Sequence, residues 1–187
     1  MVISSTFTAN TTTILGQRTF SCSDLLPLQS DSLWKIERGA VRAMTWSEDG
    51  RSITLGFWGP GDLVGKPLSK LDPYQIECLT SVEATFLPTH LWHQVMDAWI
   101  SHIQLSEELL SIVHNRPVNL RLLQLLKWLA RKFGRQVDQG ILIDLPLTHQ
   151  ALSEVICTTR VTVTRLLNQL EAEGILKRHG RFLILAS

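Results

Sequence analysis

Histidine does not occur in this chain before His90, no arginine lies between Arg51 and Arg116, and there are only three cysteines in 187 residues. Cys22, Cys78 and Cys157 are too far apart in sequence to suggest a disulfide scaffold. A four-iron cluster needs four closely grouped thiolates, so an iron-sulfur sensor is not expected either. No run approaches the ~20 apolar residues of a membrane helix, and the N-terminus lacks the charged, apolar and small-residue order of a secretory signal. The expectation is a cytoplasmic protein with no membrane partner.

Net charge is only +1, but its distribution is uneven. Residues 1–115 carry 7 basic and 12 acidic side chains, and residues 116–187 carry 11 basic and 5 acidic. The first part is therefore net −5 and the second +6. A basic segment attracts a phosphate backbone through counterion release, and an acidic one stands away from it. This places a division of labour near Asn115.

The polar Thr/Ser-rich stretch to about Thr13 has no usable period and reads as disordered or as a partial edge strand, with structure expected from Ile14. Short β-prone runs then alternate with turn signals: Leu33 to Ile36, Ala40 to Trp46, the Glu48-Asp49-Gly50 turn, Ile53 to Trp58 and Gly59-Pro60-Gly61-Asp62. Many short strands at near-regular spacing predict a β-barrel or jelly roll over residues 1–88. A metal-dependent enzyme on such a barrel needs several imidazoles on its strands, and this barrel has none. No metal site and no catalytic residue are expected. His90, His93, His102 and His114 follow the barrel at spacings that define no metal geometry. They read as surface or partly buried helical histidines, with haem ligation by one of them left open.

Residues 89–115 read as a helix in which Trp92, Met96, Trp99, Ile103, Leu110 and Val113 recur at spacings of three, four or seven, with Leu105, Leu109 and Ile112 on an adjoining face. Two apolar faces imply two partners: the barrel, and the same helix of a second subunit. Pro117 should interrupt the helix and leave Asn115 and Arg116 as a hinge. From Val118 to Phe133 a further amphipathic helix, with Leu120, Leu123, Leu126, Trp128 and Leu129 inward, opens a third unit over residues 116–187.

Leu145 to Leu185 carries the strongest signal. Thr148 can cap a helix whose Ala151, Leu152, Val155 and Ile156 share a face. The pair Thr158 and Thr159 offers a second cap. Val161, Leu166, Leu167 and Leu170 then recur at helical spacing up to Gly174, a C-cap residue. Two short helices, a tight turn and a basic hairpin describe a winged helix-turn-helix. The second helix should lie in the major groove with its N-terminal residues at base edges. Arg160 and Arg165 are the expected base readers, because the guanidinium fork matches guanine O6 and N7 and discriminates by roughly 1–3 kcal/mol. The methyl groups of Val161 and Thr164 suit a thymine methyl, and the hydroxyls of Thr159 and Thr162 suit phosphate oxygens.

The run Thr159-Arg160-Val161-Thr162-Val163-Thr164-Arg165-Leu166-Leu167 resembles the Crp/Fnr superfamily of bacterial transcription factors, closest to the cyanobacterial global nitrogen regulators. The segment from Leu33 to Gly65 resembles that superfamily's sensory β-roll, with Gly39, Gly50, Gly59, Gly61 and Gly65 at corners. The resemblance implies an α+β chain: an N-terminal double-stranded β-helix of cyclic-nucleotide-binding type, a long dimerisation helix and a C-terminal winged helix-turn-helix. It assigns base reading to Arg160 and Arg165, and phosphate contacts to Gln150, Thr159, Thr162 and His179. Val161 replaces the glutamate of many members, as in the nitrogen regulators, so the half-site should differ from the cyclic-AMP receptor's.

The superfamily's cyclic-nucleotide binders follow this corner with Gly-Glu-Leu and later supply an arginine for the cyclic phosphate. Here Lys66 and Pro67 follow Gly65 and the arginine is missing, so cyclic AMP is not expected by that mode. Lys66 or Lys70, with Lys66 the first choice, is the residue to meet a small anionic effector, such as the 2-oxoglutarate that kinship with nitrogen regulators suggests. The expected function is a sequence-specific regulator that binds double-stranded DNA as a homodimer on a near-palindromic operator, with RNA polymerase as a further partner. The alternatives are a constitutive reader with a vestigial sensor and, more distantly, a cupin-like enzyme or scaffold that binds no DNA.

Overall fold

The computed structural model describes residues 16–186. The polar stretch to Thr13 and the expected start at Ile14 lie outside the described residues. Strand β1 (Gln17–Phe20) is followed by β2 (Ser32–Arg38), β3 (Val41–Trp46), β4 (Ser52–Trp58), β5 (Leu63–Val64), β6 (Tyr74–Cys78) and β7 (Val82–Pro88). They form two antiparallel sheets, ordered β1-β7-β2-β5 and β4-β3-β6. Trp34, Ile36 and Ala84 from the first sheet face Val41, Ala43 and Ile76 from the second across a shared core. This is the expected β-roll; β1, β5, β6 and β7 add to the strands read from the sequence.

The first sheet is covered on both faces where β2 begins, which explains why that strand opens with three consecutive buried residues, Ser32, Leu33 and Trp34. Trp34 points into the roll, while Leu33, Leu63 and Leu87 point outward and are covered by Leu91, Trp92 and Trp99. The covering chain is a 3-10 segment, Thr89–Val95, leading into α1 (Met96–Val113). Helix α1 divides its apolar residues differently from the sequence reading. Trp92 and Trp99 cover the roll, and Leu105, Leu109, Ile112 and Val113 pack against the C-terminal part. Met96, Ile100, Ile103 and Leu110 remain exposed. The spacing alone joined Met96 to Trp92 because one helical stripe continues into the 3-10 segment, where the period is three.

Helix α2 (Val118–Phe133) starts directly after Pro117, whose missing N–H costs nothing at a helix start. Its buried face is Leu122, Leu125, Leu126, Trp128 and Leu129. Leu120 is instead exposed and Leu123 only half-buried, a shift from the expected face caused by the approach of α1 and the C-terminal strands. The hairpin β8 (Gly134–Val137) and β9 (Gly140–Ile143) follows, then α3 (His149–Val155), α4 (Arg160–Ala172), β10 (Leu176–His179) and β11 (Phe182–Leu185). The third sheet runs β10-β11-β9-β8.

The roll and the C-terminal part are joined by contacts of both kinds. Ala40 and Phe57 of the roll belong to the same apolar cluster as α2, α3 and α4. Asp62 accepts from the Gly59 N–H at 2.7 Å and from the Lys132 ammonium at 2.6 Å. Beside it, the Trp58 indole N–H donates to His102 Nδ1 at 3.0 Å and the two rings stack. Among the described residues no helix is long and apolar enough to cross a membrane, and no three His, Cys, Asp or Glu side chains gather as a metal site would need.

Two outcomes follow. Gly39 turns β2 into β3 with φ of 83°, and a Cβ there would overlap the Ser81 carbonyl oxygen. Gly39→Ala should therefore lower stability by roughly 2 kcal/mol or more, read as a lower denaturant midpoint. His102 is held below its ordinary pKa of 6.5 by burial, opposed by the Leu63 carbonyl beside its Nδ1. Above 6.5 both folded and unfolded chains hold it neutral; below, the unfolded chain takes a proton that the folded one resists, so stability falls as pH drops. The melting temperature should decline from pH 7.5 to 5.5, and decline less in His102→Gln.

Candidate nucleic-acid interface

Helix α3 begins where the sequence places a cap: Thr148 Oγ1 accepts the Ala151 N–H at 3.0 Å. Ala151, Leu152, Val155 and Ile156 are all buried. Cys157 makes the turn with φ of 52°, and the Thr158 N–H returns to the Ser153 carbonyl at 3.0 Å. Thr159 then caps α4, accepting the Thr162 N–H at 3.1 Å while its hydroxyl lies 2.9 Å from that of Thr162. At the far end Gly174, with φ of 74°, closes a Schellman motif: its N–H bonds the Glu171 carbonyl, and the Ile175 N–H bonds that of Leu170. Both ends of α4 are therefore capped by the chain's own groups, which fixes where the helix begins and ends.

The buried side of α4 is Val163, Leu166 and Leu167. Val161, counted in the sequence as part of that apolar spacing, is instead 77% exposed. The apolar register starts two residues later, so Val161 stands on the outer face with Thr159, Arg160 and Arg165, all exposed. Thr162 and Thr164 are half-buried at its edge. The Thr164 hydroxyl donates to the Arg160 carbonyl at 2.9 Å and lies 2.8 Å from His149 Nδ1. With its hydrogen spent, it accepts from His149, and its methyl is the part left to meet a base. His149 is held below its ordinary pKa by burial first, then by the Arg178 and Arg160 cations, and is neutral at pH 7. An isolated apolar side chain between two exposed arginines, on a helix with both ends capped, can combine hydrogen bonding to base edges with contact to a thymine methyl.

Gln150 is exposed on α3 and donates to Glu154 Oε1 at 3.0 Å. His179 ends β10, exposed, beside Gly180 and Arg181 at the tip of the hairpin. The sequence singled out only His179 there, yet Lys177 and Arg181 are equally exposed; the basic run Lys177-Arg178-His179-Gly180-Arg181 was the available signal. Arg178 turns inward, pairing with Glu171 at 2.9 Å and Asn168 at 2.7 Å, and so braces the hairpin on α4. Arg160, Val161, Thr164 and Arg165 thus share α4, with Thr159 and Thr162 at its start, Gln150 on α3 and His179 on the hairpin. Lys66 lies far from this set in sequence and on the roll; its ammonium donates to the Leu71 carbonyl at 2.6 Å and sits over the Tyr74 ring.

Comparison with known proteins agrees with this geometry. Residues 120–186 match the Crp-like helix-turn-helix domain family, and residues 28–98 match the cyclic nucleotide-binding domain family. The chain is 43% identical over 165 residues to the regulatory protein CysR of Synechococcus elongatus, covering 86% of this chain and 79% of that protein. It is 42% identical over 169 residues to the global nitrogen regulator of Nostoc sp., covering 81% of this chain and 75% of that protein. Its fold is similar to the crystal structure of a CRP-family transcriptional regulator from Thermus thermophilus, with a TM-score of 0.79 at 23% identity over 91% of this chain and 92% of that one. On the strength of a matched roll, a matched reader and relatives that align along most of both, the chain belongs to the Crp/Fnr family of DNA-binding transcriptional regulators.

Proposed function

We propose that this regulator works in the cytoplasm as a homodimer on a near-palindromic operator, with Arg160 and Arg165 reading guanines and Val161 and the Thr164 methyl reading thymine. Gln150, Thr159, Thr162 and His179 contact phosphates and set the register of α4 in the groove. The observation that carries this reading is the outer face of α4, where Arg160, Val161 and Arg165 stand exposed on a helix capped at both ends. The dimer is supported by Met96, Ile100, Ile103 and Leu110, an exposed stripe at spacings of four, three and seven that suits the same helix of a second copy. Two readers on a two-fold axis would then meet half-sites about one helical turn, about 34–36 Å, apart. Bound there, the dimer acts on transcription through RNA polymerase, as activator or repressor.

A second reading, that of a constitutive reader, is favoured by one observation. The outer face of the first sheet, where the roll meets the helical stretch, is filled by Leu33, Leu63 and Leu87 under Trp92 and Trp99. A small anionic effector such as 2-oxoglutarate would reach Lys66 only by competing with the Leu71 carbonyl. Cyclic AMP by the arginine mode is not part of either reading, since no arginine lies between Arg51 and Arg116. Operator affinity that stays constant across a panel of small anions supports the constitutive reading; a shift with 2-oxoglutarate that Lys66→Ala removes overturns it.

Selection of bound sequences from random DNA tests the main proposal and should return an inverted repeat. Arg160→Ala should cost roughly 1–3 kcal/mol and relax preference at one base position per half-site, whereas Thr162→Ala should weaken all sequences alike. Unchanged preference in Arg160→Ala overturns the assignment. Ile103→Glu should shift the sedimenting species from dimer to monomer and abolish operator binding at concentrations where the parent protein is saturated.

A further inference from the structure

Glu154 is an awkward residue for a DNA reader: a carboxylate one helical turn from Gln150, on the helix expected to run past phosphates. Its side chain is only 8% exposed, turned away from solvent and onto the roll. There Oε2 accepts from the Arg42 guanidinium of β3 at 3.3 Å and from the Thr54 hydroxyl of β4 at 2.9 Å. Oε1 accepts from Gln150 at 3.0 Å. Arg42 holds Glu77 of β6 as well, Nε to Oε2 at 2.6 Å. One carboxylate therefore divides its two oxygens between the roll and the side chain assigned to a phosphate, across more than a hundred residues of sequence.

We propose that Arg42, a residue of the β-roll, is a positioning residue for DNA binding that acts through Glu154. The inference rests on the reading that places α3 at the phosphates. Arg42 does two things at once. Shared with Glu77, it offsets part of the charge that Glu154 would otherwise present toward the DNA backbone, and it anchors α3 to β3, beside the Thr54 tie to β4, so that Glu154 orients the Gln150 amide, leaving the second amide N–H of Gln150 for a phosphate oxygen. Without Arg42 the carboxylate has one hydroxyl and one amide as partners and no cation. A buried charge in that state moves toward water, which here means toward the DNA-facing side of α3.

The test is a double-mutant cycle on operator affinity, with folding of each variant checked by thermal unfolding. Arg42→Met should weaken binding about tenfold although it touches no DNA, the size of coupling usual between linked sites. On a Glu154→Gln background, where no charge is left to neutralise, the same Arg42→Met change should cost no more than about twofold, the scatter expected of uncoupled sites. A merely structural role for Arg42, through Glu77 or the roll's own stability, predicts the same loss on both backgrounds, and that result overturns the proposal. Gln150→Ala, measured alongside, separates the two levels. If it weakens binding while Arg42→Met is not rescued, only the role of Arg42 fails. If it leaves affinity unchanged, α3 does not lie at the phosphates, and the underlying reading fails with it.

Discussion

Four leucines of α2, Leu122, Leu125, Leu126 and Leu129, have no solvent-exposed surface at all, and α3, α4, the β10–β11 hairpin and the end of α1 are packed against them. Leu109 and Ile112 come from α1, Leu152 and Val155 from α3, Val163 and Leu167 from α4, and Leu176, Leu183 and Leu185 from the hairpin strands. A close-packed interior resists small displacements, because each shifted contact forfeits dispersion energy that water does not return. The reader helix is thus held through a core it shares with the helix that leads back to the roll. Moving α4 relative to α1 requires repacking that core or bending the chain at residues 114–117, the short break between α1 and α2.

Apolar packing fixes how close two surfaces come, but it says little about how they are turned. The polar ties across the junction supply that direction. Asp62 and Lys132, with side chains 8% and 15% exposed, meet beside the stacked Trp58 and His102, and Glu154 meets Arg42 on the other flank. Buried ion pairs add little net stability, since desolvation offsets most of the attraction. Their effect is on orientation: a slipped arrangement would leave a carboxylate buried without its cation. Gly59 contributes by its bareness, because the Phe133 ring occupies the space a Cβ would need.

Legibility in the sequence followed the range of the interaction concerned. Thr148, Thr159 and Gly174 were readable because a cap acts within four residues, and the strand runs of the roll were readable because side chains alternate every two. The faces of α1 and α2 were readable only in part. Periodicity shows that Met96, Ile103, Trp99 and Leu120 are apolar, but which partner approaches each is set by elements far along the chain. The hairpin β8–β9 is missing from the sequence reading although Asp138-Gln139-Gly140 before Ile141-Leu142-Ile143 is a turn and strand signal. Within the site, the local constellation of α4 was legible, but the inward turn of Arg178 and the pairing of Arg42 with Glu154 were not. No local pattern marks a salt bridge between residues so far apart.

Pairing also changes what the charge asymmetry means. The +6 of residues 116–187 suggests a broadly attractive surface, yet four of the 11 basic side chains behind it are already paired within the fold. Lys132 is taken by Asp62, Arg131 by Glu108, Arg135 by Asp144 and Arg178 by Glu171. Arg160 and Arg165 on α4 and Lys177 and Arg181 on the hairpin enter none of the ion pairs among the described residues. Of the seven cations of residues 116–187 that enter no ion pair among the described residues, these four lie on two adjoining elements, and Arg116, Arg121 and Lys127 lie on or just before α2. Long-range attraction scales with net charge and is screened beyond about 8 Å at physiological salt, so it brings DNA to this half of the molecule without orienting it. Orientation comes from the unpaired cations of α4 and the hairpin and from the helix that carries Val161 between Arg160 and Arg165. A modest net charge is then an advantage for a specific reader, because nonspecific affinity grows with every phosphate neutralised while discrimination does not.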